Sequence, residues 1–227
     1  MTKVYSRRLK SAQRAKKKFP PGRRRNAGIT RAAILISARQ AFARAGYDGV
    51  GVREIAEGAG VTAMLVNRYF GSKEQLFAEV VAEVMSKPAI ITKEIVASPT
   101  AGNEIAAALI NLTAGGSSPL DGFRITLHSA SSPSAAEIGR KQIEAHHHKV
   151  LTAALRGAHA AERAALVLSI VAGVQVMRQM IGLTALTECP PTMLVKLLGP
   201  VFQQLMDVRE HPTRRPAQGA RKKNLSQ

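Results

Sequence analysis

Between Arg53 and Lys73 the chain gathers several side chains that can bind an anionic, hydrogen-bonding surface. Thr62 carries a hydroxyl that can bond a base edge or a phosphate. Arg53, Asn67 and Arg68 can each bond the same two kinds of group. Lys73 lies at the predicted start of a helix, where its charge and the free backbone N–H groups attract the same anion. This combination of residue types is typical of contact with DNA.

Apolar residues occupy the start of the same short stretch. Ala63, Met64 and Leu65 can pack against thymine methyl groups in a major groove, which leaves few hydrogen bonds for reading bases there. For Met64 and Leu65 the alternative is packing in the protein core, which is common for apolar residues on a short helix. For Asn67 and Arg68 the alternative is a solvated surface, although neither belongs to the apolar face of the predicted helix.

Two short helices joined by a glycine-centred turn must position these side chains. Helical spacing gives the first helix an apolar face of Val52, Ile55, Ala56 and Ala59 and the second a face of Val66 and Phe70. Gly60 ends the first helix in a left-handed conformation, and Thr62 caps the second. Two helices with a tight, Gly-containing turn predict a helix-turn-helix motif.

Further helices are predicted on both sides of this motif. Ser72 and Gln75 form an S-x-x-Q capping box, which starts a helix with the apolar residues Leu76, Phe77, Val80, Val81 and Val84. Upstream, Thr30 is the predicted cap of a helix that ends at Gly46, with an apolar stripe of Ile34, Ala38, Ala41, Phe42 and Ala45. The region 28–88 is therefore predicted to be a helix-turn-helix DNA-binding domain, a three-helix unit followed by the helix that Ser72 caps.

Several motifs in this region resemble the N-terminal domain of the TetR family of transcriptional regulators (TetR/AcrR-like). They are I-L-x-x-A-x-x-x-F at 34–42, Gly46-Tyr47, Arg53-Glu54-Ile55-Ala56, Ala59-Gly60-Val61-Thr62, Tyr69-Phe70 and Gly71-Ser72-Lys73-Glu74. The resemblance runs over residues 28–88 without a gap, and residues 163–207 resemble the last two helices of one branch of the family. It implies an all-α fold whose C-terminal domain binds a small ligand and dimerises.

The resemblance also implies roles for single residues. Tyr69 and Lys73 match positions at which the family usually contacts phosphates. The chain departs from the family at Asn67, where a tyrosine is usual, and at Leu65, where a small residue is usual.

The positive charge of the chain lies mainly at its two ends. The net charge is +18, and residues 1–28 hold eleven Lys or Arg and residues 212–227 hold five, with no acid in either stretch. The head, residues 29–85, has six basic and six acidic residues. Such basic, polar ends cannot bury enough apolar surface to offset the entropy of ordering, so residues 1–27 and 209–227 are predicted to be disordered. Arg23, Arg24 and Arg25 either reach DNA as a basic arm or serve only solubility and non-specific attraction.

Residues 89–208 are predicted to form a second, helical domain. Proline and glycine breaks place helices near 101–113, 119–130, 134–156, 160–186 and 191–208. The last two are apolar on more than one face, so they are covered either by a second copy, as a four-helix bundle, or by an intramolecular core. A two-fold dimer would set two recognition helices one DNA turn apart and bind a palindromic operator.

Other kinds of site are weakly indicated or absent from the sequence. Candidates for lining a ligand cavity, by residue type alone, are Phe123, His128, Met177 and Met180, with ordinary core packing as the alternative. Consecutive histidines, His146 to His148, point in different directions on a helix, so they are predicted to be solvated and not to bind a metal. Neither a catalytic nor a cofactor motif is found, so the sequence predicts neither an enzyme nor a bound cofactor.

These patterns predict a sequence-specific DNA-binding transcriptional regulator, a homodimeric repressor released from its operator by a small-molecule ligand. The alternative is a non-specific basic DNA-binding or nucleoid-associated protein in which the ends dominate. The longest apolar run, residues 164–177, falls short of the roughly 20 residues that a membrane-spanning helix needs. With no apolar segment after the basic N-terminus, this predicts a cytoplasmic protein without a membrane partner.

Overall fold

The computed structural model describes residues 21–86, 90–114 and 121–207, with side chains from residue 26 onward. All regular structure in these residues is helical, as predicted. The α-helices are α1 (Pro21–Ala45), α2 (Val52–Gly58), α3 (Ala63–Phe70), α4 (Lys73–Met85), α5 (Lys93–Val96), α6 (Ala101–Leu112), α7 (Asp121–His128), α8 (Pro133–Ile143), α9 (Lys149–Ala154), α10 (Ala160–Gln175), α11 (Thr184–Thr187) and α12 (Pro191–Met206). The predicted disorder of 1–20 and 209–227 and the predicted breaks at 87–88 and 115–119 lie outside the described residues.

Helices α1 to α4 form the N-terminal head around an aromatic core. The stripe predicted for α1 is buried at Ile34, Ala38, Ala41 and Phe42, whereas Ala45 is exposed at the end of the helix. Phe77 of α4 packs edge to face against Phe42, with ring centroids 5.1 Å apart. The Tyr47 ring packs edge to face against the other side of this pair, with its centroid 5.0 Å from that of Phe77. Aromatic pairs in this arrangement add stabilisation to the burial of their surface.

The start of α1 differs from the prediction. The helix begins at Pro21, so residues 21–27, predicted to be disordered, are helical. The prediction that Thr30 caps the helix is wrong, because its hydroxyl donates to the carbonyl oxygen of Asn26, 2.9 Å away inside the helix. Threonine often makes this backward bond in a helix interior, and arginine is a good helix former.

In the C-terminal domain α6 and α12 approach each other closely. A Cβ atom on Gly102 would lie 2.4 Å from the backbone nitrogen of Gln203 and 2.6 Å from the carbonyl oxygen of Gly199. The Gly102 N–H donates to the side-chain oxygen of Gln203 at 2.9 Å. Around this crossing lies a second core, which includes Ile105, Leu109, Leu151, Val167 and Phe202.

The remaining helices follow the prediction, except for two π-helical turns and a short helix that were not predicted. The helix predicted over 134–156 runs from α8 to α9 through a π-helical turn, Glu144–His148. The helix predicted over 160–186 ends after a second π-helical turn, Val176–Met180, because Gly182 has a φ of 70°. Helix α5, capped by the Thr92 side chain, was not predicted.

The helix that contains α10 is longer than its apolar run suggests. With the π-helical turn it spans Ala160–Met180, 21 residues, and an 18-residue stretch of it has a mean hydropathy of 1.5 and is 22% buried. By length and composition alone this helix could cross a membrane, although its apolar run, residues 164–177, is as short as predicted. Buried core helices pass the same test, so the finding is weak evidence for a membrane span.

Candidate nucleic-acid interface

The turn between α2 and α3 has the geometry that the sequence predicts. Gly60 adopts a φ of +66°, a left-handed conformation that glycine takes without a Cβ clash. The Val61 N–H donates to the carbonyl oxygen of Ala56 at 2.9 Å and closes the end of α2. Thr62 caps α3, since its hydroxyl accepts a bond from the Leu65 N–H at 3.3 Å. The prediction of two helices joined by a glycine turn is confirmed.

One side of the motif is fixed in the head core and the other is open. The predicted apolar faces are buried at Ile55 and Ala56 of α2 and at Val66 and Phe70 of α3, while Val52 and Ala59 are partly buried. Because α3 has only two turns, burying Val66 and Phe70 sets the direction of its remaining side chains. Those side chains are free for an external partner.

The structure separates the alternatives for the apolar start of α3. The Met64 side chain is 80% exposed, which rules out core packing for it. Ala63 and Leu65 are half-buried, and Thr62, Asn67 and Arg68 are exposed. The outward face of α3 therefore presents a methionine, an amide and a guanidinium side by side along the helix.

Helix α4 begins at the edge of this face. Ser72 caps it by accepting a bond from the Gln75 N–H at 3.1 Å, as predicted. The Lys73 ammonium lies 4.3 Å from the centre of the Tyr47 ring, a cation–π contact that positions its charge beside the first turn. Burial, and then the charge of Glu74, raise the pKa of the Tyr47 hydroxyl. Tyr69 is half-buried on α3.

Ion pairs divide the six basic residues of the head into two groups. Arg31 pairs with Glu79, Arg39 with Asp121 and Arg44 with Glu54. Arg53, Arg68 and Lys73 have no carboxylate within 4.0 Å among the described residues. The head thus has no net charge, yet its three uncompensated cations lie at the start of α2, on α3 and at the start of α4. The sequence does not reveal this division, since Arg31 and Arg39 pair with residues far along the chain.

The four residues predicted to line a ligand cavity are not brought together. His128 belongs to the contact between head and C-terminal domain, where its Nδ1 lies 3.0 Å from the carbonyl oxygen of Ala43. Phe123 is half-buried on α7, and Met177 and Met180 are 46% and 38% exposed near the end of the long helix.

The same contact between the domains holds several polar bonds that the sequence does not predict. They join the Tyr47 N–H to Ser129 at 2.9 Å, Ser132 to Asp48 at 3.3 Å and Arg39 to Asp121 at 2.9 Å. The two residues of each pair are more than eighty positions apart in the chain. The head and the C-terminal domain therefore meet through directional bonds made by residues 121–132, that is, by α7 and the turn that follows it.

The histidine run differs from the solvated surface that the sequence predicts. His146, His147 and His148 are all partly buried. Within residues 21–86, 90–114 and 121–207, no three His, Cys, Asp or Glu side chains gather closely enough to hold a metal ion.

Comparison with known proteins gives matches over both parts of the chain. Residues 34–80 match the model of bacterial regulatory proteins of the tetR family, and residues 100–206 match that of the tetracyclin repressor-like C-terminal domain. The HTH-type transcriptional repressor AcnR of Corynebacterium jeikeium is 43% identical over 56 residues. That match spans 25% of this chain and 30% of the relative, so it covers less than a third of the relative's length.

Solved structures resemble the chain over most of its length. The TetR-family regulator SCO0857 of Streptomyces coelicolor is 24% identical, with a TM-score of 0.52 over 83% of this chain and 98% of its own. A transcriptional regulator of Rhodococcus sp. Rha1 is 25% identical, with a TM-score of 0.54 over 77% and 94%. The multidrug binding protein EbrR, complexed with ethidium, is 16% identical, with a TM-score of 0.57 over 79% and 99%.

Proposed function

The chain belongs to the TetR family of bacterial regulatory proteins, and from that membership we propose that it is a homodimeric repressor that binds a palindromic operator. As a regulator of this family it binds DNA and is not an enzyme. A small molecule bound to the C-terminal domain releases it from the operator. It works in the cytoplasm, where its DNA is, and needs no membrane partner or cofactor.

The uncompensated cations around an exposed α3 are the observation that carries the proposal. In it, α3 enters the major groove with Thr62, Ala63, Met64, Leu65, Asn67 and Arg68 toward the bases. Lys73, Tyr69 and Arg53 contact the phosphates on either side. A cation already paired with a carboxylate gains little from a phosphate, whereas an uncompensated one releases counterions from DNA when it binds.

Exposed apolar side chains on the last helices support the homodimer. They are Leu166, Met177, Met180 and Ile181 on the long helix and its end, and Met193, Leu197 and Val201 on α12. The α12 residues recur every fourth position and therefore form one stripe. The opposite side of α10 is buried at Ala164, Val167 and Val171, so the intramolecular core covers only one side. A second copy covering the other side gives a four-helix bundle.

Release by a ligand follows from thermodynamic linkage. Suppose that a ligand fits only a conformation in which the two heads are wrongly spaced for the operator. Its binding then weakens operator binding, and operator binding weakens ligand binding by the same coupling free energy. Such coupling is typically about 1–3 kcal/mol. The bonds between the head and residues 121–132 support this coupling, because they join the two domains directly.

The high charge of the ends favours a second candidate, a non-specific basic DNA-binding protein. Footprinting on the DNA that flanks the protein's own gene separates the two. A dimeric repressor protects two half-sites whose centres lie about 10 base pairs apart, or a multiple of that. Uniform weak protection along the fragment would support non-specific binding and contradict the repressor.

A further inference from the structure

Lys73 differs from the other two uncompensated cations of the head, because the protein itself holds it in place. Arg53 and Arg68 are exposed, whereas Lys73 is half-buried. Its ammonium lies over the face of the Tyr47 ring, 4.3 Å from the ring centre. A lysine side chain is a flexible four-carbon stem, and ordering it costs conformational entropy. The contact with Tyr47 therefore restricts this side chain before any phosphate arrives.

The Tyr47 ring is itself fixed by the aromatic core of the head. It stacks on the ring of Phe42, with the centroids 6.3 Å apart and the planes 23° from parallel. It meets the ring of Phe77 edge to face at 5.0 Å. Both of these phenylalanines are buried. A ring between two buried aromatic neighbours has little room to turn, so it presents a fixed surface to the ammonium.

The backbone that carries this ring is attached to the C-terminal domain. The Tyr47 N–H donates to Oγ of Ser129, 2.9 Å away, and Ser129 is buried. At the residue before it, a Cβ atom on Gly46 would lie 2.3 Å from the carbonyl oxygen of His128. The two stretches of backbone are thus in direct contact, and a shift of one must displace the other.

We propose that Tyr47 is a positioning residue for DNA binding: its ring holds the Lys73 ammonium ready for a phosphate, and the C-terminal domain sets the position of that ring through Ser129. This role rests on the proposed function, in which Lys73 contacts the phosphates. It makes Ser129, a buried residue of the other domain, a determinant of operator affinity. A side chain that is already ordered loses less freedom on a phosphate, which changes affinity by about 2- to 10-fold per side chain.

A double-mutant cycle on operator affinity separates positioning from a general role in stability. Tyr47→Leu removes the ring but keeps an apolar side chain. Since a dimer carries two heads, it should weaken operator binding by about 5-fold or more. In the Lys73→Gln background the same change should weaken binding by less than about 2-fold, because no ammonium remains to be positioned. The matched control Tyr47→Phe keeps the ring and should stay within about 2-fold of the wild type.

The attachment to the C-terminal domain is tested in the same way. Ser129→Ala should weaken operator binding by about 3-fold or more, and by less than about 2-fold in the Lys73→Gln background. Ser132→Ala is the matched control, since it removes another bond between the domains, to Asp48 at 3.3 Å, in which Tyr47 takes no part. It should leave operator affinity within about 2-fold of the wild-type value.

Nuclear magnetic resonance on the protein without DNA tests the position of Lys73 itself. Reductive methylation with ¹³C labels the lysines and keeps their charge, and the Lys73 signal is identified by its loss in Lys73→Arg. Because ring currents shield nuclei above an aromatic face, the Lys73 methyl protons should be shifted upfield of those on exposed lysines. The shift should vanish in Tyr47→Leu and persist in Tyr47→Phe. The wild-type shift and the serine variants decide the matter if Tyr47→Leu does not fold, which far-ultraviolet circular dichroism reports.

Several results would overturn this role of Tyr47. They are a wild-type Lys73 signal without the upfield shift, an equal loss of affinity on Tyr47→Leu with and without Lys73→Gln, an unchanged affinity in Ser129→Ala, and an equal loss in Ser129→Ala and Ser132→Ala. The proposed function fails differently. A wild-type protein that binds random DNA as tightly as its operator contradicts that function, whereas the Lys73 signal is measured without DNA.

Discussion

Replacing an uncompensated cation of the head should change how operator affinity depends on salt. Each phosphate neutralised contributes about −0.9 to the slope of log affinity against log salt concentration. Lys73 and Arg68 have no carboxylate within 4.0 Å among the described residues, so each is free to neutralise a phosphate. Since a dimer carries two heads, Lys73→Gln or Arg68→Gln should each make the slope shallower by about 1.8.

Arg44→Gln is the matched control for this prediction. Arg44 is also an exposed arginine of the head, but it pairs with Glu54. Arg44→Gln deletes one positive charge, as the other two substitutions do, but that charge is already paired with a carboxylate. The slope should therefore stay within about 0.5 of the wild-type value. Exposed ion pairs contribute only about 0–1 kcal/mol, so folding should survive the change.

Fluorescence anisotropy with a labelled operator duplex measures the slope. Between about 50 and 200 mM salt, a slope change of 1.8 makes the loss of affinity about tenfold smaller in the variant than in the wild type. The reasoning is refuted if Arg44→Gln and Arg68→Gln change the slope equally. It is also refuted if neither Lys73→Gln nor Arg68→Gln changes it, because the phosphate contacts would then lie elsewhere.

Three further predictions concern the C-terminal domain. The Leu197 side chain is 62% exposed in one copy. Leu197→Glu should weaken dimerisation by at least about 100-fold in analytical ultracentrifugation, because each dimer would bury two unpaired carboxylates. An unchanged dimer would contradict the proposed interface. Gly102→Val should lower the free energy of unfolding, measured by urea denaturation, by about 1–3 kcal/mol, because α6 and α12 must separate to admit the side chain. The control Gly28→Ala should raise it slightly, because nothing lies within 4 Å of a Cβ atom at that position. Arg178→Met should cost about 1–3 kcal/mol in the same assay, because the buried guanidinium donates to the carbonyl oxygens of Ile110 and Leu186; no loss would mean that water satisfies those carbonyls.

Local signals in the sequence were sufficient to predict the helix-turn-helix motif. Gly60, Thr62 and Ser72 act within one or two turns of chain, and each has the conformation or bond that its type predicts. The burial of Val66 and Phe70 likewise follows from helical spacing. These features depend on neighbours in sequence, so a single chain reveals them.

What the sequence missed depends on partners distant along the chain. The ion pair of Arg39 with Asp121 and the contact of His128 with Ala43 join residues more than eighty positions apart. No local pattern distinguishes Arg39 from the uncompensated Arg53. The partial burial of His146 to His148 also depends on a helix that is distant in sequence, because α10 packs against their turn.

Competition between operator and random DNA tests the central claim most directly, namely that α3 reads a specific sequence. At physiological salt the wild-type protein should prefer the footprinted duplex over a scrambled one by about 10³-fold or more. Changing Asn67 and Arg68 on the exposed face of α3 to alanine should remove most of that preference, whereas the paired-cation control Arg44→Gln should retain it. Equal affinity of the wild type for both duplexes would contradict the account.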